Sequence, residues 1–149
     1  MLTYALNEHY DTPLIIRRKN SPEYCFNGRG DEAKKIENCS KKLQTLLEDW
    51  AIGYNSDKLM LLYGDDFDYD NMGFAQVDIE NMEKIMNYMR NNFDIDIKFG
   101  TPSEFFDDLA KSKPTLKYYT GEFFPYANRK GTPVKVYWTG FYATRPQFK

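Results

Sequence analysis

A chain of 149 residues is long enough for one domain with a real core. Its charge is near balance, at −2 with both signs interspersed, which gives no basis for nucleic acid or an anionic membrane surface as a partner. Two cysteines, Cys25 and Cys39, make neither a disulfide framework nor a zinc ligand set, no apolar run is long enough to span a bilayer, and the first residues lack the basic and apolar regions of a signal peptide.

Residues 1–30 read as irregular, with Pro13, Pro22 and the turn-like Asn27-Gly28-Arg29-Gly30. Only Leu14-Ile15-Ile16 has the composition of a short strand. So long an irregular opening is expected to pack on something, as if the chain began in the middle of a larger fold. Asp31 is a good N-cap for a helix running to about Gly53. Ile36, Cys39, Leu43, Leu46, Leu47 and Trp50 fall on one of its faces, and Gly53 is placed to end it.

Residues 59–63, Leu-Met-Leu-Leu-Tyr, are apolar on both faces and suit a strand buried inside a parallel sheet. Gly64 lets the backbone turn, and Asp65 and Asp66 follow at once. Parallel sheets place ligands just beyond the carboxyl ends of their strands, so this is where an α/β enzyme keeps its chemistry. An acidic loop follows over 65–73, then a helix over roughly 77–91 with Ile79, Met82, Ile85, Met86 and Met89 as its stripe. Residues 94–99 alternate apolar and charged, as in a strand exposed on one side. Thr101-Pro102-Ser103-Glu104 is a capping box with proline at the first helical position. Phe105, Phe106, Leu109 and Ala110 carry the apolar face of the helix it starts, and Pro114 closes it. The order of helix, strand, helix, strand, helix fits right-handed crossovers and an α/β layer. Residues 118–149 are rich in rings, glycine and proline and read as the lining of a cleft.

On an extended backbone, Asp65 and Asp66 point to opposite faces, so at most one aims into a pocket while the other makes structural bonds. Taken alone, such a pair is more often two solvated loop acids. Asp66, Asp68 and Asp70 have the spacing of a calcium loop, but Asn71 and Val77 stand where its glycine and bidentate glutamate are needed. His9 is the only histidine, so no catalytic triad or histidine-rich metal site can be completed. Asn38-Cys39-Ser40 has the form of a glycosylation acceptor but falls mid-helix. The 12 tyrosines and 11 phenylalanines either fill a core or form platforms for sugar rings. Trp138, with Tyr137 and Tyr142 near it in sequence, is the foremost candidate platform.

Several segments in one order resemble the α-mannosidases of glycoside hydrolase family 38. These are Gly64-Asp65-Asp66-Phe67, then residues 99–106 (Phe-Gly-Thr-Pro-Ser-Glu-Phe-Phe), residues 121–127 (Gly-Glu-Phe-Phe-Pro-Tyr-Ala), and residues 137–142 (Tyr-Trp-Thr-Gly-Phe-Tyr) through Arg145-Pro146. Residues 1–50 match more loosely, chiefly at Tyr10-Asp11-Thr12-Pro13. The resemblance implies an α/β fold, with the chain a fragment of a (β/α) barrel-like glycoside hydrolase domain having parallel strands and flanking helices. It further implies a retaining α-mannosidase acting on mannose-containing oligosaccharide, in the secretory pathway, lysosome or vacuole or Golgi.

The family holds zinc by two histidines and two aspartates, one of which is the nucleophile; none of these falls within the matched segments. What the resemblance assigns here is the second acid, which protonates the leaving oxygen and then activates water. Asp66 is that acid. Asp65 would orient it and, as a neighbouring negative charge, favour its protonated form. Tyr10 matches a site tyrosine and Trp138 a tryptophan of the sugar pocket, with Tyr137 beside it. Asn128 and Arg129 stand where the family has Asp-Arg or Asp-Gly, and Asp68 stands where Golgi members carry arginine. The 149 residues by themselves are expected to be inactive and to hold no stoichiometric zinc. The alternative is a non-catalytic sugar-binding remnant of a truncated α-mannosidase.

Overall fold

The computed structural model describes residues 2–7, 10, 12–17, 22–121 and 137–148, divided into two compact units, 1–115 and 116–149. The first unit is built on two long helices. Helix α1 (Glu32–Ala51) starts where Asp31 accepts from the Lys34 N–H and ends at Ile52, followed by Gly53, whose N–H bonds to the Trp50 carbonyl at 3.0 Å. Helix α2 (Met72–Asn92) begins about a turn and a half before the expected start at residue 77, because the Asn71 side chain caps it by accepting from the Phe74 N–H. Gly73 therefore lies inside the first turn and not in a loop.

Cys39, Leu43 and Leu47 of α1 meet Met82, Ile85, Met86 and Met89 of α2, and Ile16 from the preceding segment completes the core. The spacings are i, i+4, i+8 on one helix and i, i+3, i+4, i+7 on the other, the two ways a 3.6-residue repeat keeps one face apolar. Fully burying side chains such as Leu43, Ile85 and Met89 contributes about 1.5–3 kcal/mol each. Ile79, on the expected stripe of α2, is 41% exposed and does not join them. Lys84 of α2 bonds Glu32 of α1 at 2.6 Å across the helix pair.

Helix α3 (Pro102–Lys111) carries the expected capping box: the Glu104 N–H donates to Thr101 Oγ1 and the Thr101 N–H donates to Glu104 Oε2 at 2.7 Å. Bonds from the Thr101 backbone N–H and hydroxyl hold the Glu104 carboxyl below its ordinary range. The helix ends at Ser112, Lys113 takes φ 48°, and Pro114 follows. Phe105 of α3 packs edge-on to Tyr4, whose ring stacks on Tyr54 with centroids 4.8 Å apart.

The expected α/β fragment of a barrel-like domain, with parallel strands and flanking helices, is not what the chain forms. The described residues hold helices and no strand or sheet. Residues 59–63 and 94–99, read as strands, are irregular, and Leu14-Ile15-Ile16 is a turn closed by the Ile16 N–H on the Pro13 carbonyl. The apolar pattern was real, but it specified a buried side and not a backbone partner. Leu59, Leu61, Tyr63, Ile95 and Ile97 all pack against the α1–α2 core. Their backbone finds other bonds, as where the Met60 N–H donates to the Tyr4 hydroxyl at 3.2 Å. Without a ladder of N–H···O=C bonds there is no sheet, whatever the alternation.

The two cysteines form a disulfide, Cys25–Cys39. It ties the irregular segment before α1 to the buried face of α1, and the Cys25 N–H bonds the Ile15 carbonyl at 3.0 Å. The second unit contains a short helix α4 (Gly140–Ala143) and a 3-10 turn (Pro146–Phe148).

Candidate active site

The turn after residue 63 is clasped from one side by Thr12. This buried threonine donates its N–H to the Gly64 carbonyl at 2.9 Å and its hydroxyl to the same oxygen at 3.2 Å, and it accepts the Gly64 N–H. Gly64 sits at φ 144°, and a Cβ there would lie 3.0 Å from Tyr69 Cε2, so both the backbone and the ring above it call for glycine. The turn closes with the Asp68 N–H on the Asp65 carbonyl at 3.1 Å. Phe67 lies within it at φ 63° and is exposed. A bulky residue held in that region marks a backbone determined by its surroundings.

Asp65 and Asp66 part company here. The Asp65 carboxylate pairs with the Arg17 guanidinium, and each of these side chains is only 15% exposed. Asp66 is exposed and accepts from the Tyr10 hydroxyl at 3.4 Å. Tyr10 and Asp66 are 56 positions apart in sequence, so the fold brings them together. Beneath the turn, the Tyr69 hydroxyl donates to the Tyr63 carbonyl at 2.9 Å and the Tyr63 hydroxyl donates to the Asp78 carbonyl at 2.8 Å. Burial, reinforced by the charge of Asp78, pushes the Tyr63 hydroxyl far above the usual phenol range, and burial raises Tyr69 as well. Both phenols stay protonated and neutral at ordinary pH.

Tyr137 and Trp138 belong to the second unit and are 55% and 56% exposed. Asn128 and Arg129 lie outside the described residues, as does His9. Arg17 was not singled out by sequence reasoning. The available signal was the basic pair Arg17-Arg18 directly after an apolar trio, which is too common to single out. Thr12 stood in the Tyr10-Asp11-Thr12-Pro13 likeness without an assigned role.

The zinc implied by the family resemblance needs histidine and aspartate donors. Among the described residues no three His, Cys, Asp or Glu side chains are grouped to hold a metal, and both cysteines are consumed by the disulfide. The donors among the described residues do not fit that ion.

Against known families, residues 1–129 match the glycosyl hydrolases family 38 N-terminal domain. Among curated relatives, the alpha-mannosidase 2 of Spodoptera frugiperda is 30% identical over 138 residues, covering 89% of this chain and 12% of the relative. The alpha-mannosidase 2x of Mus musculus is 32% identical over 106 residues, covering 64% and 9%. The lysosomal alpha-mannosidase of Dictyostelium discoideum is 25% identical over 117 residues, covering 76% and 11%. The chain thus spans only about an eighth or less of these relatives. No solved structure matches it. With the family model covering most of its length, and the turn after Gly64 inside the match, the chain belongs to glycosyl hydrolase family 38 through that family's N-terminal domain.

Proposed function

We propose that this chain supplies the acid/base segment of a retaining α-mannosidase acting on mannose-containing glycans, with Asp66 as the acid/base. The observation that carries the reading is the unequal fate of the two acids. Asp65 is half-buried against Arg17, while Asp66 is exposed with the Tyr10 hydroxyl in reach. An acid that protonates a leaving oxygen must be accessible to it, and a carboxylate already matched to a guanidinium is poorly suited to give up a proton. Tyr10 steadies Asp66 by donating to it. Trp138 and Tyr137 offer exposed ring faces for sugar stacking. In this reading the nucleophile and the zinc donors are supplied by residues outside this chain, in keeping with the small share of each relative that it spans. A compartment of the secretory pathway fits both the lysosomal alpha-mannosidase among the relatives and the Cys25–Cys39 disulfide, since such bonds persist where the environment is oxidising.

The test is leaving-group dependence in the protein expressed from its complete reading frame. Asp66→Asn keeps the shape and removes the proton. Natural mannosides, with poor leaving groups, lose turnover by on the order of a hundredfold or more, while the first step on activated aryl mannosides suffers far less. Asp65→Asn gives a smaller loss without that dependence. The reverse pattern makes Asp65 the acid. No loss from either variant makes the turn purely structural.

A further inference from the structure

We propose that Thr12 and Tyr69 are positioning residues for this site: gripping the chain at Gly64 from two sides, they hold residues 65–68 in a strained turn that displays the Asp66 carboxylate. The inference rests on the reading of Asp66 as the acid/base.

The strain lies at Phe67. Asp66 and Phe67 are the two central residues of the turn closed by the Asp68 N–H on the Asp65 carbonyl. The third place of such a turn, when taken at positive φ, suits glycine or asparagine. A phenylalanine at φ 63° is held there against its own preference. Such a conformation persists only where the surroundings over-determine it. A turn free to relax would return Phe67 to negative φ, and Asp66, its partner at the corner, would no longer be held in one direction.

The grip comes from both sides of Gly64. Thr12 accepts the Gly64 N–H and gives its own N–H and hydroxyl to the Gly64 carbonyl. Tyr69 lies just past the turn and donates its hydroxyl back to the Tyr63 carbonyl, just before it, at 2.9 Å. That bond ties the two ends of the turn together, and the Tyr69 ring closes over Gly64, where a Cβ would lie 3.0 Å from Cε2. Each half of the grip is itself anchored. Thr12 is buried and precedes Pro13, which restricts it to an extended backbone, and the Pro13 carbonyl accepts from Ile16 of the α1–α2 core. On the other side, the Tyr63 hydroxyl donates to the Asp78 carbonyl of α2 at 2.8 Å. With both ends fixed to the helical frame, residues 65–68 are left to span them, and the strained φ at Phe67 is what that span imposes.

The experiment measures kcat and KM on a natural mannoside and on an activated aryl mannoside, using the protein expressed from its complete reading frame. Thr12→Val keeps the shape and the backbone bond but removes the hydroxyl. It lowers kcat on the natural mannoside by about tenfold with KM little moved, while the first step on the aryl mannoside is largely spared. Thr12→Ser restores the hydroxyl and the rate. Phe67→Asn fits the left-handed conformation, so in that background the Thr12→Val penalty shrinks to about threefold or less. An effect of Thr12→Val passed through the neighbouring Tyr10 would gain no such relief. A penalty equal in both backgrounds, or equal on both substrates, makes Thr12 merely structural and overturns the proposal. So does an unchanged kcat in Thr12→Val while Asp66→Asn shows its leaving-group-dependent loss, and the reading of Asp66 then stands. If Asp66→Asn loses nothing, that reading falls, and the proposal with it. Should Thr12→Val fail to fold, Tyr69→Phe decides alone: a loss of about threefold on the natural mannoside, relieved by Phe67→Asn, supports the grip, and the absence of either overturns it.

Discussion

Removing the Cys25–Cys39 disulfide should loosen the site turn although neither sulfur touches it. The cysteines are 14 positions apart, and closing a loop of that length restrains the unfolded chain by about 3 kcal/mol. That restraint acts on the segment that places Thr12 on Gly64 and Arg17 on Asp65. Cys25→Ala is the cleaner perturbation, because Cys39 is fully buried and altering it would disturb the α1–α2 core directly. If opening of this region is limited by the same restraint, about 3 kcal/mol corresponds to roughly a hundredfold faster amide exchange. Hydrogen–deuterium exchange read by mass spectrometry on peptides covering residues 12–17 and 59–68 measures this, with the peptide of α3 as an internal control. Reduction of the wild-type protein should reproduce the variant. Unchanged exchange at residues 12–17, or peptide mapping that finds both thiols free in the oxidised protein, would refute the reasoning.

Other outcomes follow from buried polar groups. Ser40 is fully buried on α1 and its hydroxyl has no hydrogen-bond partner among the described residues, so Ser40→Ala should stabilise the protein by about 1 kcal/mol, read as a higher denaturant midpoint. Asn38 itself is exposed, but Ser40, the third residue of its acceptor triplet, is buried within α1 beside a disulfide-bonded cysteine, which predicts no glycan at Asn38 when the protein is expressed through a secretory host, checked by intact mass before and after glycosidase treatment. Two shielded tyrosines, Tyr63 and Tyr54, predict alkaline sensitivity. Burial raises the Tyr63 and Tyr54 hydroxyls above the free value of 10.0, so folding favours their neutral forms. Their contribution is complete below about pH 10 and is lost as pH climbs beyond it. Tyr63→Phe should flatten the fall of stability above that pH, and an unchanged slope would count against it.

Much of the helical frame could be read directly from local chemistry. Asp31, Thr101, Pro102 and Glu104 act through neighbours within one turn, so their roles as caps do not depend on the rest of the chain. The stripes through Leu43 and Met82 follow from periodicity alone. The strands were misread because Leu59, Leu61, Tyr63, Ile95 and Ile97 carry a pattern that states only which side is buried, and burial against two helices satisfies it as well as a sheet does. Gly64 with its two acids was legible as a turn. The separation of Asp65 from Asp66 was foreseeable in kind, but its cause, Arg17, is 48 positions upstream and no local rule connects them. The disulfide was missed because two cysteines 14 apart fit many arrangements, and only the packing of residues 12–30 on α1 brings them together.

The most direct measurement is the product that Asp66→Asn makes from an activated aryl mannoside in the presence of azide. An acid/base variant of a retaining enzyme still forms the covalent glycosyl intermediate but lacks the base that activates water for its release. Azide needs no base, so it should restore turnover and enter from the same face as the lost leaving group. The expected product is therefore the α-mannosyl azide, with burst kinetics in its absence. Formation of the β-mannosyl azide would mean that Asp66 is the nucleophile, and failure of azide to raise the rate would remove it from the chemistry altogether.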